Sequence, residues 1–253
     1  MMRVDLGGRR VLVTGASRGI GAAIARVLLE AGARVALHWH TAPLAAAELA
    51  EVFPDRAVAL RADLADPAEV DRLWDEADAW AGGLDGLVNN AAAMPYSAPE
   101  DQAARWREDW ELVWRVNVRA VADLSRRAIL AFKERGGGRI VTVASRAAFR
   151  GDLPDAMHYA ASKGAVVALT RSIAKGYAQA GIRAFIIAPG WVKTERVLAR
   201  ITDPANRHML AEIPMGDAAP PEQVGRIAAL LLSGLVDHAT GATFDINGAS
   251  YFH

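Results

Sequence analysis

The chain has 253 residues, of which 52% are apolar and 23% are charged, with 29 basic and 29 acidic side chains and no cysteine. This composition excludes a disordered chain, a disulfide scaffold, a thiolate nucleophile and a sulfur-ligated metal, and we expect no metal site. Because the charge is balanced, the chain lacks the excess of basic residues that favours binding to nucleic acid or to an anionic membrane, so we expect neither as a partner.

Short runs rich in Val, Ile or Leu alternate with helical stretches from one end of the chain to the other. The predicted strands cover residues 11–14, 34–39, 57–61, 86–89, 139–144, 183–188 and 242–246. The predicted helices cover residues 20–31, 43–53, 67–80, a long segment within 101–134, 157–180 and 221–233. This alternation is typical of a parallel sheet covered by helices on both faces.

No linker, repeat or charge block divides the chain, so we predict a single α/β domain over residues 1–253, with a doubly wound, seven-stranded parallel sheet. Residues 190–219 are polar and contain proline, and we interpret them as an inserted substrate loop with short helices. The first residues lack the apolar core of a secretion signal, and no apolar run approaches the roughly 18 residues of a membrane span. We therefore expect a cytoplasmic location.

Three glycines follow the first predicted strand, in the segment Thr14-Gly15-Ala16-Ser17-Arg18-Gly19-Ile20-Gly21, which we call the glycine loop. Glycine lets the chain turn sharply and lets a phosphate approach bare backbone, and the following helix offers free N–H groups to a pyrophosphate. An ordinary strand-to-helix turn can have this composition, but the α/β repeat that follows favours a dinucleotide site. The candidate contacts here are Gly15, Ser17, Arg18, Gly19, Ile20 and Gly21.

The end of the second predicted strand bears on the choice between NAD and NADP. A carboxylate there holds a ribose 2′-hydroxyl and repels a 2′-phosphate. This chain has Leu37-His38-Trp39-His40-Thr41 instead, with no carboxylate. Arg18 lies in the glycine loop, and His40 and Thr41 can donate hydrogen bonds. The pattern favours NADP as the cofactor, with NAD as the alternative.

Tyr159 and Lys163 lie four residues apart in a predicted helix, which puts the phenol and the ammonium on one face. A phenol has a pKa of about 10, and a neighbouring cation lowers that pKa and makes the group a usable general acid or base. Such a pair is more often a surface feature. Ser145 favours a site, because it follows a strand at the edge of the sheet where open α/β folds bind ligands.

Together these stretches resemble the short-chain dehydrogenase/reductase family over essentially the whole chain, most closely the 3-oxoacyl-(acyl carrier protein) reductase type. The resemblance implies a Rossmann-type fold and an oxidoreductase that acts on a carbonyl/alcohol pair. The matching stretches are the glycine loop, Asp63-Leu64, Asn89-Asn90-Ala91-Ala92, Asn117, Ser145, Tyr159 with Lys163, and Pro189-Gly190 followed by Thr194.

The resemblance implies a role for each of four polar residues. Tyr159 would give its proton to the carbonyl oxygen as hydride leaves the nicotinamide, while Ser145 stabilises the charge that develops on that oxygen. Lys163 would hold the nicotinamide ribose and lower the pKa of Tyr159. Asn117 would position a water that links Lys163 to solvent, and it could also stabilise a bend in the long helix.

The resemblance also extends the cofactor site beyond the glycine loop. Asp63 would bond the adenine edge, although it could equally cap the helix ahead of Pro67. Val192 and Thr194 would bind the carboxamide and phosphate side of the cofactor. The other implied cofactor contacts are His40, Leu64, Asn90, Ala91, Tyr159, Lys163, Pro189 and Gly190.

Three positions depart from the family pattern. Ala92 stands where the family has glycine, which predicts a small shift near the cofactor. One extra residue separates Ser145 from Tyr159, which predicts a bulge within residues 150–157. Ile246-Asn247-Gly248-Ala249 replaces the common Val-Asp-Gly-Gly at a structural position.

The sequence indicates the type of reaction more clearly than it indicates the substrate. An apolar pocket could be lined by Met94, Tyr96, Phe149, Leu153, Met157 and Trp191, each of which could equally be core packing. Five arginines lie near the same rim in sequence, namely Arg146, Arg150, Arg196, Arg200 and Arg207. They could attract a phosphopantetheine or a carboxylate, but we expect them to lie on a solvent-exposed face.

Two functions remain open: an NADP-linked oxidoreductase acting on a small carbonyl or alcohol, and a catalytically silent NADP(H)-binding protein. The intact Ser145, Tyr159, Lys163 and Asn117 favour the enzyme. We also expect a homotetramer, or at least a dimer, because residues 106–132 and 157–177 carry more apolar positions than one helix face can direct at a sheet.

Overall fold

A computed structural model describes residues 4–201 and 208–253 of the chain. Its sheet has seven parallel strands in the order β3-β2-β1-β4-β5-β6-β7. The strands are β1 (Arg10–Val13), β2 (Arg34–Trp39), β3 (Ala57–Arg61), β4 (Gly86–Asn89), β5 (Gly138–Val143), β6 (Ile182–Pro189) and β7 (Thr243–Ile246).

Helices connect the strands and cover both faces of the sheet. They are α1 (Gly19–Glu30), α2 (Leu44–Val52), α3 (Pro67–Ala81), α4 (Ala103–Trp114), α5 (Ala120–Glu134), α6 (Ala147–Arg150), α7 (Met157–Tyr177), α8 (Glu195–Ile201), α9 (His208–Ala211) and α10 (Pro221–Ser233). Among the described residues, no helix combines the length and apolar character needed to cross a bilayer.

The core lies in two layers because successive strand residues point to opposite faces of the sheet. In β1, Val11 and Val13 join the layer under α1, α2 and α10, whereas Leu12 joins the layer under α3, α5 and α7. All three side chains are fully buried. The near-continuous apolar runs of the sequence follow from this burial on both faces.

The predicted doubly wound α/β fold is confirmed, and the strands begin and end within one residue of the predicted bounds. The long helix predicted within residues 101–134 differs from the structure, because a π-helical segment, Arg115–Arg119, separates α4 from α5. Asn117 lies in this segment and is buried. The inserted loop at residues 190–219 contains the short helices α8 and α9, and residues 202–207 lie outside the described part of the chain.

Candidate active site

The candidate residues meet at the edge formed by the carboxyl ends of the central strands. The glycine loop follows β1, Asn90 follows β4, Ser145 follows β5 and Gly190 follows β6. In a parallel sheet all of these ends point the same way, and the strand order reverses beside β1. Ligands of open α/β sheets bind in the crevice at such a switch point.

The glycine loop is fixed to the segment that follows β4. The Thr14 hydroxyl accepts hydrogen bonds from the main-chain N–H of Asn90 at 2.9 Å and of Ala91 at 3.1 Å. The Asn90 side-chain amide donates in return to the main-chain oxygens of Thr14 and Gly15, at 2.9 and 3.2 Å. A Cβ on Gly21 would come within 2.0 Å of the Gly15 oxygen, so only glycine fits there.

The start of α1 fits the pyrophosphate of a dinucleotide. Gly19, at φ 55°, opens the helix, and no side chain caps its first turn. In the described part of the chain, the main-chain N–H groups of residues 17–20 have no protein acceptor. Free donors at the positive end of a helix match an anionic group.

The adenosine end of the candidate site has His40 and Asp63 on its border. The two exposed side chains lie 3.8 Å apart, from His40 Nε2 to Asp63 Oδ2. Asp63 is not the cap of α3, because Asp66 accepts the hydrogen bond from the Ala68 N–H that caps this helix. Leu64 is buried. Asp63 Oδ1 accepts a hydrogen bond from the Ala65 N–H at 2.9 Å instead, so the alternative that Asp63 caps α3 is wrong.

Ser145 and Tyr159 line a cavity of about 590 Å³, and Lys163 is buried outside its lining. The Lys163 Nζ donates to the Val143 main-chain oxygen at 2.8 Å and lies 5.6 Å from the centre of the Tyr159 ring. Gly190, Val192 and Thr194 line the same cavity. The structure therefore brings Ser145, which follows β5, together with Tyr159 and Lys163 of α7.

Asn117 joins the segment after β4 to the helix that carries Tyr159. Its Oδ1 accepts from the Ala93 N–H at 2.8 Å, and its Nδ2 donates to the Ala93 oxygen at 2.9 Å and to the Ser162 hydroxyl at 3.0 Å. The wider π-helical turn places this side chain between the two segments. Asn117 thus lies in an irregular turn of the long helix, and its role in positioning a water stays a prediction.

Burial dominates the pKa values of the two groups. It raises the pKa of Tyr159 to about 12, and the Ser145 hydroxyl and the Arg196 guanidinium act in the opposite direction. Burial also lowers the pKa of Lys163 to about 8. The pKa of Tyr159 is raised rather than lowered, contrary to the expectation from Lys163, because loss of solvent outweighs the effect of the neighbouring charges.

The cavity separates the predicted pocket residues into two groups. Met94, Tyr96, Leu153 and Trp191 line it together with Arg146, Arg150 and Arg196. Phe149 stacks on His253 instead, with ring centres 4.2 Å apart, and Met157 lies exposed outside the lining. The side chain of Arg200 and all of Arg207 lie outside the described part of the chain.

Arg146 contradicts the expected solvated arginine face. It is 4% exposed and donates to the Ser250 hydroxyl at 2.5 Å and to Glu212 at 3.1 Å. Burial and the neighbouring Arg150 lower the pKa of Arg146. Because it directly follows Ser145, its position in the sequence is the one signal that could have distinguished it from the surface arginines.

Part of the chain between Ser145 and Tyr159 forms an irregular connection. After α6 the chain turns at Gly151, whose φ of 80° favours glycine, and a 3₁₀ turn at Pro154–Ala156 leads into α7. Asp152 and Leu153 from this connection line the cavity. Residues 150–157 therefore contain an irregular connection that forms part of the cavity wall, and a bulge caused by the extra residue stays a prediction.

Comparison with known proteins agrees with this geometry. Residues 15–249 match a family model described as Enoyl-(Acyl carrier protein) reductase. A 3-oxoacyl-[acyl-carrier-protein] reductase, FabG, of Salmonella typhimurium is 31% identical over 96% of this chain and 98% of its own length.

Two solved structures share both the fold and the sequence similarity. A short chain dehydrogenase from Burkholderia cenocepacia in complex with NADP has a TM-score of 0.89 and 31% identity, covering 98% of this chain and 99% of its own. A 3-ketoacyl-(acyl-carrier-protein) reductase from Brucella melitensis complexed with NADH has a TM-score of 0.87 and 31% identity, covering 98% and 100%.

Replacing Lys163 with Met is expected to reduce the pH dependence of the free energy of unfolding. The pKa of Lys163 is lowered from 10.5 to about 8, so between these values the unfolded chain binds more protons and the wild-type protein gains stability as pH rises. The full gain is roughly 3 kcal/mol. Urea unfolding followed by circular dichroism across this pH range measures it.

The control is Lys175→Met, which removes an exposed ammonium from the same helix α7. This variant should follow the wild-type pH dependence. If Lys163→Met also kept that dependence, the buried Lys163 would not have the lowered pKa.

Proposed function

Because the chain belongs to the short-chain dehydrogenase/reductase family of oxidoreductases, we propose that it is an NADPH-dependent reductase of a ketone or 3-oxoacyl substrate. The observation that carries this proposal is the cavity in which Ser145 and Tyr159 lie together, beside the glycine loop and with Lys163 buried nearby. A carbonyl oxygen placed between the Ser145 and Tyr159 hydroxyls could accept a hydrogen bond from each of them.

The neutral phenol of Tyr159 is the form that would donate the proton. With a pKa raised to about 12, the phenol keeps its proton at neutral pH. Ser145 can donate a hydrogen bond to the same oxygen and stabilise the charge that develops there. Bound nicotinamide would supply the hydride, and Tyr159 would supply the proton that completes the alcohol.

Lys163 has the chemistry to hold the cofactor ribose and to assist Tyr159. Its Nζ donates one hydrogen bond to the Val143 oxygen, so two N–H donors remain when the ammonium is charged. A pKa of about 8 keeps most of the group charged at neutral pH. Asn117 would act by fixing α7 to the Ala93 segment and so fixing the distance between Lys163 and the cofactor.

The proposed cofactor is NADPH, with the pyrophosphate on the free N–H groups of residues 17–20. Arg18 is exposed at the start of α1, and Trp39 ends β2 beside Arg61 of β3. Two cationic side chains and no carboxylate on the β2 end favour a 2′-phosphate. The Burkholderia cenocepacia structure with NADP supports this choice, and the Brucella melitensis structure with NADH supports NAD as the alternative.

A sugar or alcohol dehydrogenase is the second candidate, and the cavity wall favours it in one respect. Arg150 and Glu212 form an ion pair on the wall at 3.4 Å, and the centre of the Trp191 ring lies 5.6 Å from the guanidinium carbon of Arg146. Paired charges and an aromatic ring suit a polyhydroxylated substrate. A screen of 3-oxoacyl thioesters, simple ketones and sugar alcohols with both cofactors separates the two, and bound cofactor without any turnover would indicate a silent binding protein.

Tyr159→Phe should lower turnover by at least about a hundredfold, because the variant lacks the proton donor. The affinity for NADPH should stay within a few-fold, since the phenol contributes little to nucleotide binding. Stopped-flow absorbance of the nicotinamide measures turnover, and fluorescence titration measures affinity. Tyr177→Phe, at the other end of α7, is the control and should match the wild type; a smaller loss for Tyr159→Phe would exclude it as the acid.

Trp39→Asp should shift the ratio of kcat/KM values from NADPH toward NADH. The new carboxylate would repel a 2′-phosphate and accept a hydrogen bond from a 2′-hydroxyl. Steady-state kinetics with both cofactors gives the ratio, and Trp39→Phe, which adds no charge, should leave it unchanged. Tighter binding of NADH than of NADPH by the wild-type protein would contradict the cofactor proposal.

The proposed assembly is a homotetramer, or a dimer, built on α4, α5 and α7. Leu112, Trp114 and Leu130 remain exposed on α4 and α5. Ala161 and Ala168 lie exposed on α7, where small side chains permit close approach of a second helix. These exposed apolar side chains on helices that contact one another form the surface that we propose for the interface.

Light scattering at micromolar concentration should give a mass of at least twice the 27.0 kDa chain. Trp114→Glu should lower the mass, because it places a charge in the proposed interface. Leu235→Glu changes an exposed apolar residue after α10 and should not alter the assembly. A single-chain mass for the wild-type protein would refute the proposal.

A further inference from the structure

His38 is a buried polar residue that none of the proposed chemical steps uses. It is the penultimate residue of β2 and is 2% exposed. Its Nδ1 accepts a hydrogen bond from the Gly15 main-chain N–H at 3.0 Å, and its Nε2 lies 3.0 Å from the Ala62 main-chain oxygen. The ring therefore bridges the glycine loop after β1 and the segment after β3.

The two partners determine the state of the ring. Gly15 offers only an N–H and Ala62 only a carbonyl oxygen, so Nδ1 must be the acceptor and Nε2 the donor. Burial lowers the pKa of His38 to about 4, the Ala62 contact raises it, and the titratable neighbours His40 and Asp63 lower and raise it respectively. The ring is therefore neutral near neutral pH, with its proton on Nε2.

This bridge decides which N–H groups of the glycine loop face a ligand. The Gly15 N–H points to the His38 ring, and the Ala16 N–H donates to the His38 main-chain oxygen at 2.8 Å. Both donors are consequently satisfied inside the protein. The free donors begin at Ser17, and those of residues 17–20 are left for the pyrophosphate.

We propose that His38 is a positioning residue for the cofactor, which acts by holding the glycine loop through Gly15 in the conformation that binds the pyrophosphate. The inference rests on the proposed dinucleotide function. It assigns to His38 a role in cofactor affinity, and none in the transfer of hydride or proton, because both hydrogen bonds of its ring are to main-chain atoms of the two segments.

A pair of amide variants separates the two hydrogen bonds. In Asn the side-chain oxygen is bonded to Cγ, as Nδ1 is in His, so His38→Asn keeps an acceptor for Gly15 and loses the contact with Ala62. In Gln the amide atoms are one bond further out, as Nε2 is, so His38→Gln keeps a donor for Ala62 and leaves the Gly15 N–H without a partner.

Fluorescence titration with NADPH should show a dissociation constant raised about tenfold in His38→Gln, which corresponds to roughly 1.4 kcal/mol. The constant for His38→Asn should stay within about threefold of the wild type, and kcat at saturating NADPH should be unchanged in both variants. Equal affinity in the two variants, or a loss only in His38→Asn, would overturn the role of the Gly15 contact.

Val35→Ala controls for a loss of stability alone. Val35 is fully buried in the same strand β2, and the variant should unfold at a lower temperature with unchanged NADPH affinity. If affinity followed the unfolding temperature in all three variants, His38 would be merely structural. If the wild-type protein bound neither NADPH nor NADH, the proposed function would fail, whatever the variants show.

Nuclear magnetic resonance of the ligand-free protein tests the same proposal without activity. A long-range ¹H–¹⁵N spectrum should show a neutral His38 ring at neutral pH, with Nε2 protonated and Nδ1 unprotonated. The Gly15 amide proton should exchange slowly in the wild type and in His38→Asn, and faster in His38→Gln. A ring protonated on Nδ1 would overturn the proposal.

Discussion

Burial of the parallel sheet on both faces is the constraint on which the other features depend. A central strand such as β1 is buried on both faces from Val11 to Val13, so side chains that can meet a ligand begin where the strand ends. Polar groups therefore collect where the main chain leaves the sheet, at one edge, because all seven strands run the same way. Thr14, Asn90, Ser145 and Gly190 are neighbours for this reason, although long stretches of chain separate them.

The same constraint makes the polar groups at that edge interdependent. Thr14 and Asn90 exchange hydrogen bonds, His38 accepts from the Gly15 N–H, and Asn117 satisfies Ala93 and Ser162. Each of these side chains contacts main-chain atoms of another segment. Buried polar groups need such partners, and the partners also fix the segments at definite distances.

The sequence predicted the sheet, most helices and the meeting of Ser145, Tyr159 and Lys163, because those features depend on local patterns and on the direction of the strands. It did not predict quantities that depend on packing between distant segments. Burial raises the pKa of Tyr159 although a lysine stands one helical turn away. The sequence predicted a solvated face for Arg146 and gave no role to His38, and only the folded chain shows that each is enclosed.

The anchoring of Arg146 connects the reactive edge to the last segment of the chain. Arg146 follows Ser145 and donates to Ser250, while Phe149 of α6 stacks on the ring of His253. Residues 250–253 thus pack against the segment that carries Ser145 and support it. Shortening this segment, or attaching a bulky fusion to it, would alter the shape of the substrate side while every reacting group stayed in place, so substrate preference would change before catalysis did.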